Sequence, residues 1–118
     1  MGKLFYGNAI EPIHMPDLLL AHLQVLTATK LRRSESFTVT WKHPAGEPEG
    51  RSTIWLQPSI PLRFVLTSAD KLPIDPALLR DLADQAASSA GVTVDFQKFE
   101  TAAGPAEVRE LVGAGRAA

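Results

Sequence analysis

The sequence predicts an α+β domain: a mostly antiparallel sheet of five to six strands with two helices packed on one face. Three observations carry this. Residues 36–67 contain three short runs rich in β-branched and aromatic residues, at 36–42, 51–57 and 62–67. Pro/Gly-rich breaks divide them, as they divide consecutive antiparallel strands. Two further stretches, 18–33 and the run opening at Pro76, place apolar residues at helical spacing. Helices that bracket a block of strands point to helices gathered on one side of a sheet.

Each element has its own local signal. Lys3-Leu4-Phe5-Tyr6 reads as a strand, and Gly7-Asn8 supplies a turn. Residues 10–15 return as a second strand, which Pro12 confines to an edge or a bulge. Asp17 is placed as the cap of the first helix. Leu19, Leu23 and Leu26, beside Leu20, Thr27 and Leu31, form its buried stripe, and Lys30, Arg32 and Arg33 lie where cations oppose the helix dipole. The three central strands follow, joined by the polar loop 43–50 and the tight turn Pro58-Ser59-Ile60-Pro61. The second helix is announced by Asp75 as cap, Pro76 at the first helical position, and Ile74 with Leu79 as a hydrophobic staple. Gly91 is its expected stop, and Val92, Val94 and Phe96 alternate as a last strand. Residues 1–97 are expected to form the single α+β domain. Residues 98–118, with Gly104-Pro105 and a Gly/Ala-rich end, are expected to be a flexible or partly helical tail.

Successive side chains of a strand face opposite sides of the sheet. One side takes Phe37, Val39, Trp41, Ile54, Leu56, Leu62, Phe64 and Leu66, a set apolar enough to be buried. All of these except Leu62, with Leu23, Leu26, Leu79 and Leu82 from the helices, make the expected core. The other side takes Thr38, Thr40, Lys42, Arg51, Thr53, Trp55, Arg63 and Val65, an aromatic ring among hydroxyls and cations.

A chain of 118 residues with 45% hydrophobic and 21% charged residues is long enough for one real core. It has no cysteine, which excludes disulfides, thiol catalysis and cysteine-held zinc, and fits a reducing cytoplasm. No apolar run approaches the ~20 residues of a membrane helix, so no membrane partner is expected. The net charge of −1 conceals a mild asymmetry. Residues 1–67 carry seven Lys/Arg against five Asp/Glu, and residues 68–118 five against eight.

Motifs for chemistry are sparse. His14, His22 and His43 lack the i, i+4 spacing of a metal-binding helix, and the simpler reading of His22 is a satisfied histidine at the edge of the core. No serine stands in G-x-S-x-G, and the chain has neither G-x-x-x-x-G-K-[ST] nor G-x-G-x-x-G. Asp81 and Asp84 lie one turn apart beside Arg80 on a solvated helix face. No catalytic residue, cofactor or metal is therefore expected. The candidate contact face is Thr40, Lys42, Arg51, Thr53, Trp55 and Arg63. A ring flanked by cations on an open sheet suits single-stranded nucleic acid, and the same ring suits burial by the C-terminal tail or by another subunit.

The blocks MGKLFYG, LAHLQVLTATKLRRSESFTVTW and GRSTIWLQPSIPLRFVL resemble a family of short uncharacterised actinobacterial proteins, typical of Microbacterium-like bacteria. The resemblance covers roughly residues 1–96. Its members are often labelled automatically as ATP-dependent DNA ligases, so the resemblance implies a link to DNA. The residues do not carry ligase chemistry, which needs a lysine nucleophile in K-x-D-G and carboxylates for metal. The five lysines are followed by LFY, LRR, HPA, LPI and FET.

These readings lead to a non-catalytic interaction module that self-associates through its open sheet face. The alternative is a DNA-binding accessory to ligation or repair with no ligase chemistry of its own. Incubated with ATP and magnesium, the protein is expected to form no covalent adenylate. A stable lysyl-AMP adduct in intact-mass spectrometry would overturn that reading of its lysines.

Overall fold

A computed structural model describes residues 1–102. The elements along this stretch are β1 (Gly2–Tyr6), β2 (Ile13–Met15), α1 (Asp17–Arg32), β3 (Phe37–Lys42), β4 (Arg51–Leu56), β5 (Leu62–Val65), α2 (Pro76–Ala87), β6 (Val92–Val94) and α3 (Phe96–Ala102). The fold is α+β, as the sequence predicts. The six strands are divided into two three-stranded sheets, β2-β1-β5 and β4-β3-β6, where a single sheet was expected.

The division follows from one turn. Ile60 N–H donates to the Gln57 carbonyl at 3.1 Å, closing a four-residue turn with Pro58 in its second position. Proline holds φ at about −65°, which excludes the primed turns whose twist suits a two-residue hairpin. Ser34 is the one non-glycine described residue with positive φ, so Ser59 cannot make a type II turn either. What remains is the type I geometry, and it splays the flanking strands. Diverging from β4, β5 pairs antiparallel with β1 instead, in the register Leu4↔Phe64 and Tyr6↔Leu62. Gly7 N–H extends that ladder to the Pro61 carbonyl at 2.9 Å.

The second sheet is mixed. β4 runs antiparallel to β3, and β6 lies parallel to β3 on its other side, with Val39↔Val92 and Trp41↔Val94. Gly91 makes this approach possible. Its φ is 75°, and a Cβ there would collide with Thr38 Oγ1. The stop expected at Gly91 belongs to this close approach, because α2 ends earlier, at Ala87.

Helices join the two sheets. α1 packs on β1, α2 and α3, while α2 packs on β3 and β6. The cap of α2 is as predicted: the Asp75 carboxylate accepts from Ala77 N–H at 3.0 Å, with Pro76 beginning the helix. Asp17 has a different role from the one expected. Pro16 is the N-cap of α1 and makes no side-chain cap. The Asp17 carboxylate reaches across the fold, accepting from Thr67 N–H at 3.2 Å and Thr67 Oγ1 at 3.1 Å. Beside this tie, a Cβ on Gly2 would lie 2.5 Å from Leu20 Cδ1, 2.6 Å from Asp17 Oδ1 and 2.7 Å from the Val65 carbonyl, so only glycine fits.

His22 is fully buried and satisfied, as read from its place on the helix. Its Nδ1 donates to the Leu18 carbonyl at 2.8 Å, and its Nε2 accepts from Asp75 N–H at 2.9 Å. One imidazole thus ties the middle of α1 to the residue that caps α2.

Leu23, Leu26, Phe37, Val39, Trp41, Leu56 and Leu82 lie in one buried cluster, as predicted, with Leu4, Met15, Leu19 and Leu20 among the added members. Ile54, Phe64, Leu66 and Leu79, expected inside, are half-buried and pack against it. Phe96 is not a strand residue. Asp95 accepts from Gln97 N–H at 3.0 Å and starts α3, while the Phe96 ring stacks on Trp41 with centroids 5.9 Å apart. The expected boundary after residue 97 falls inside this helix, whose Phe99 is only 8% exposed and belongs to the core. The remainder of the expected tail, 103–118, lies outside the described residues.

Removing the Phe99 ring leaves a cavity between α1 and α3. Phe99→Ala is expected to cost about 3–5 kcal/mol in urea unfolding, as a buried phenylalanine does. A loss below about 1 kcal/mol would show that α3 is not part of the cooperative unit.

Candidate interaction surface

The outer face of β4-β3-β6 follows from the ladder's register. Thr38 stands opposite Trp55, Thr40 opposite Thr53, and Lys42 opposite Arg51. Beyond the strand ends, His43 N–H donates to the Gly50 carbonyl at 2.8 Å. That bond sets the phase of the ladder, because bonded and non-bonded pairs alternate along an antiparallel pair. Lys42/Arg51, Thr40/Thr53 and Thr38/Trp55 are the non-hydrogen-bonded pairs, whose side chains approach more closely. The two threonine hydroxyls accordingly meet, Oγ1 to Oγ1 at 2.8 Å. From β6, Thr93 joins the same face beside Thr40.

Five of the six predicted contact residues are therefore brought together: Thr40, Lys42, Arg51, Thr53 and Trp55. Arg63 is not among them. It lies on β5 in the other sheet, opposite Phe5, with its guanidinium 5.7 Å from that ring's centroid. Val65 leaves the face with it and is half-buried. The splayed turn after β4 is the reason for both corrections. Thr93 is the member that strand alternation alone could not place, since its position needs the parallel β3–β6 pairing.

Trp55 is 52% exposed at one end of this face, on its edge strand. Its carbonyl, on the outer edge of β4, accepts from the Tyr6 hydroxyl at 2.6 Å. At the other end, Lys42 and Arg51 are both exposed and directly opposed. Among the described residues the ion pair is Lys30–Glu35, so no carboxylate there relieves this like-charge contact.

Elsewhere, polar side chains are engaged in holding loops. His43 Nδ1 donates to the Pro48 carbonyl at 2.9 Å, and Ser52 Oγ lies 2.7 Å from Nε2. The serine–histidine distance is that of an activated nucleophile. Neither side chain lines the two grooves described next. One groove, of about 300 Å³, lies between α2, β6 and α3; the other, of about 570 Å³, lies between α1 and residues 66–74. Among the described residues no three His, Asp or Glu side chains gather as a metal site. No helix among them is long and apolar enough to cross a membrane.

The fold and this surface define a small α+β domain whose β4-β3-β6 sheet, among the described residues, presents a polar outer face with an exposed tryptophan. Residues 1–97 match the family model described as Domain of unknown function (DUF7882), and the chain belongs to that family. No curated protein and no solved structure matches it.

His43 pins the loop between β3 and β4 at two points, so His43→Ala is expected to accelerate amide hydrogen exchange across 44–50 while lowering stability by about 1 kcal/mol. Unchanged exchange in that loop would mean that the two hydrogen bonds do not order it.

Proposed function

We propose that this domain is a non-catalytic interaction module of the cytoplasm that self-associates through the outer face of β4-β3-β6. The observation that carries the reading is Trp55. A large ring 52% exposed on a face otherwise made of threonines and cations leaves apolar area uncovered. Burial of that ring by a second copy removes the area from water at about 25 cal/mol per Å². The neighbouring threonines present short side chains, which let another surface approach closely.

A second reading rests on the other end of the face. Lys42 opposite Arg51, with no carboxylate of the described residues to neutralise them, favours an anionic partner. Together with Trp55 as a stacking platform, the pair suits a nucleic-acid backbone and an unstacked base. In this reading the domain is a DNA-binding accessory, and the DNA-ligase label of the actinobacterial proteins it resembles reflects such an association without ligase chemistry. Arg63 no longer contributes, so the cationic part is smaller than the sequence suggests.

The two readings separate in one pair of measurements. If the face is a subunit contact, Trp55→Ala shifts the protein toward monomer in sedimentation velocity, and the assembly is little affected by added salt. If it holds DNA, Trp55→Ala costs about 1–3 kcal/mol of single-strand affinity, and Arg51→Ala weakens binding and flattens its salt dependence. A wild-type protein that is monomeric and binds no oligonucleotide overturns both.

A further inference from the structure

We propose that the contact between copies is made by the free edge of β4, which adds antiparallel to β4 of a second copy about a two-fold axis at Thr53. The inference rests on the self-association reading above and moves the contact from the middle of the face to its β4 edge, where Arg51 and Trp55 stand.

The phase of the β3–β4 ladder decides which backbone groups are available. Since the pairs 37/56, 39/54 and 41/52 exchange hydrogen bonds, the N–H and C=O groups of Arg51, Thr53 and Trp55 point away from β3. Among the described residues none of these groups has a backbone partner, and only the Trp55 carbonyl has a side-chain one, the Tyr6 hydroxyl. The opposite edge of the same sheet is closed differently. Thr93 N–H of β6 donates to Gln85 Oε1 of α2 at 3.0 Å, and Asp81 Oδ2 holds the Gln85 amide at 3.0 Å. In the other sheet, β2 is three residues long between Pro12 and Pro16, and β5 is four residues long and starts after Pro61. β4 has six residues and no proline, the kind of edge that accepts another strand.

The sequence of β4 is complementary to itself in one register. With Thr53 facing Thr53 of the second copy, Arg51 faces Trp55 and Trp55 faces Arg51. Both residues are on the outer face, where a guanidinium over an indole is favourable. The arrangement is isologous, each contact made twice. It also separates the Lys42/Arg51 cations of the two copies to opposite ends of the joined sheet. The Trp55 carbonyl accepts the incoming Arg51 N–H with its second lone pair, so the Tyr6 contact is kept. The result is a continuous six-stranded sheet with the two tryptophans covered by arginines.

The full chain contains no cysteine, which permits a clean test. Thr53→Cys is expected to oxidise to a disulfide-linked dimer, because directly opposed residues of an antiparallel pair have Cα atoms about 5.5 Å apart. Thr93→Cys, on the same face but away from the axis, is expected to stay monomeric on a reducing-agent-free gel. Thr53→Pro removes an outward N–H without touching the β3 ladder and is expected to weaken dimerisation about ten- to a hundred-fold in sedimentation equilibrium. Thr53→Val keeps the N–H and is expected to dimerise like wild type. A wild-type dimer that Thr53→Pro does not weaken and Thr53→Cys does not cross-link overturns the edge contact while leaving self-association through the face. A wild-type protein that is monomeric at every concentration overturns both. Should Thr53→Pro fail to fold, the two cysteine variants decide.

Discussion

The turn at Pro58 constrains everything around it. Proline fixes φ at the second turn position, and the only two-residue turn left to the chain splays the strands on either side. A hairpin between β4 and β5 would have given one broad sheet with Arg63 beside Trp55. Instead β5 leaves, pairs with β1, and the fold closes as two sheets bridged by helices. That bridging explains the ties that cross between distant elements. Asp17 joins the start of α1 to Thr67 beyond β5, and His22 joins α1 to the cap of α2. Each satisfies a backbone N–H that lies outside the ladders and helices, that of Thr67 or of Asp75.

The same divergence leaves the second sheet with two unlike edges. On the β6 side, Gln85 takes the outward Thr93 N–H, so a helix side chain substitutes for a missing strand. On the β4 side, the Tyr6 hydroxyl reaches one carbonyl at the end of the strand, and the groups of Arg51 and Thr53 are left to water. Exposed edges are usually blunted by short strands, proline or charge. Three of the four edges here follow that rule by length or proline, and β4 keeps only the charge of Arg51. In the proposed dimer, where Arg51 faces Trp55 of the second copy, that charge does not block a copy of its own strand. There it would select one register.

Much of this was legible in the residues. The alternation of Phe37, Val39 and Trp41 against Thr38, Thr40 and Lys42 fixes both faces of β3, because period two admits no other assignment once one side is buried. Asp75-Pro76 marks α2 because both residues act locally, through a carboxylate on nearby amides and a fixed φ. The grouping of Thr40, Lys42, Arg51, Thr53 and Trp55 on one face was legible to the same extent, because they lie on two strands joined by a local loop. Arg63 was not, since its place depends on a choice between β4 and β1 as partner that lies far from it in sequence. The parallel docking of β6, hence Thr93, is likewise non-local. So is the capture of Asp17 by Thr67, which converts an apparent helix cap into a long-range tie. Phe96 shows the short-range limit: Val92, Val94 and Phe96 alternate correctly, but Asp95 accepts an amide two residues on and turns the chain into α3.

The residue types that usually signal chemistry are occupied with architecture. His22 has both ring nitrogens bonded to backbone, His43 holds its loop through Pro48 and Ser52, and Asp17, Asp75, Asp95 and Gln85 each accept a backbone N–H. A side chain held this way is committed to one geometry, and freeing it for a ligand exposes an unpaired backbone group at a cost of about 1–3 kcal/mol where the site is buried. Trp55, Arg51 and Lys42 accept no such duty among the described residues. Their side chains make no hydrogen bond or ion pair there, and removing them leaves no buried group unsatisfied. Residues that the fold does not need, two on the long edge strand β4 and Lys42 opposite Arg51 on β3, are the part of this surface free to be used by something outside it.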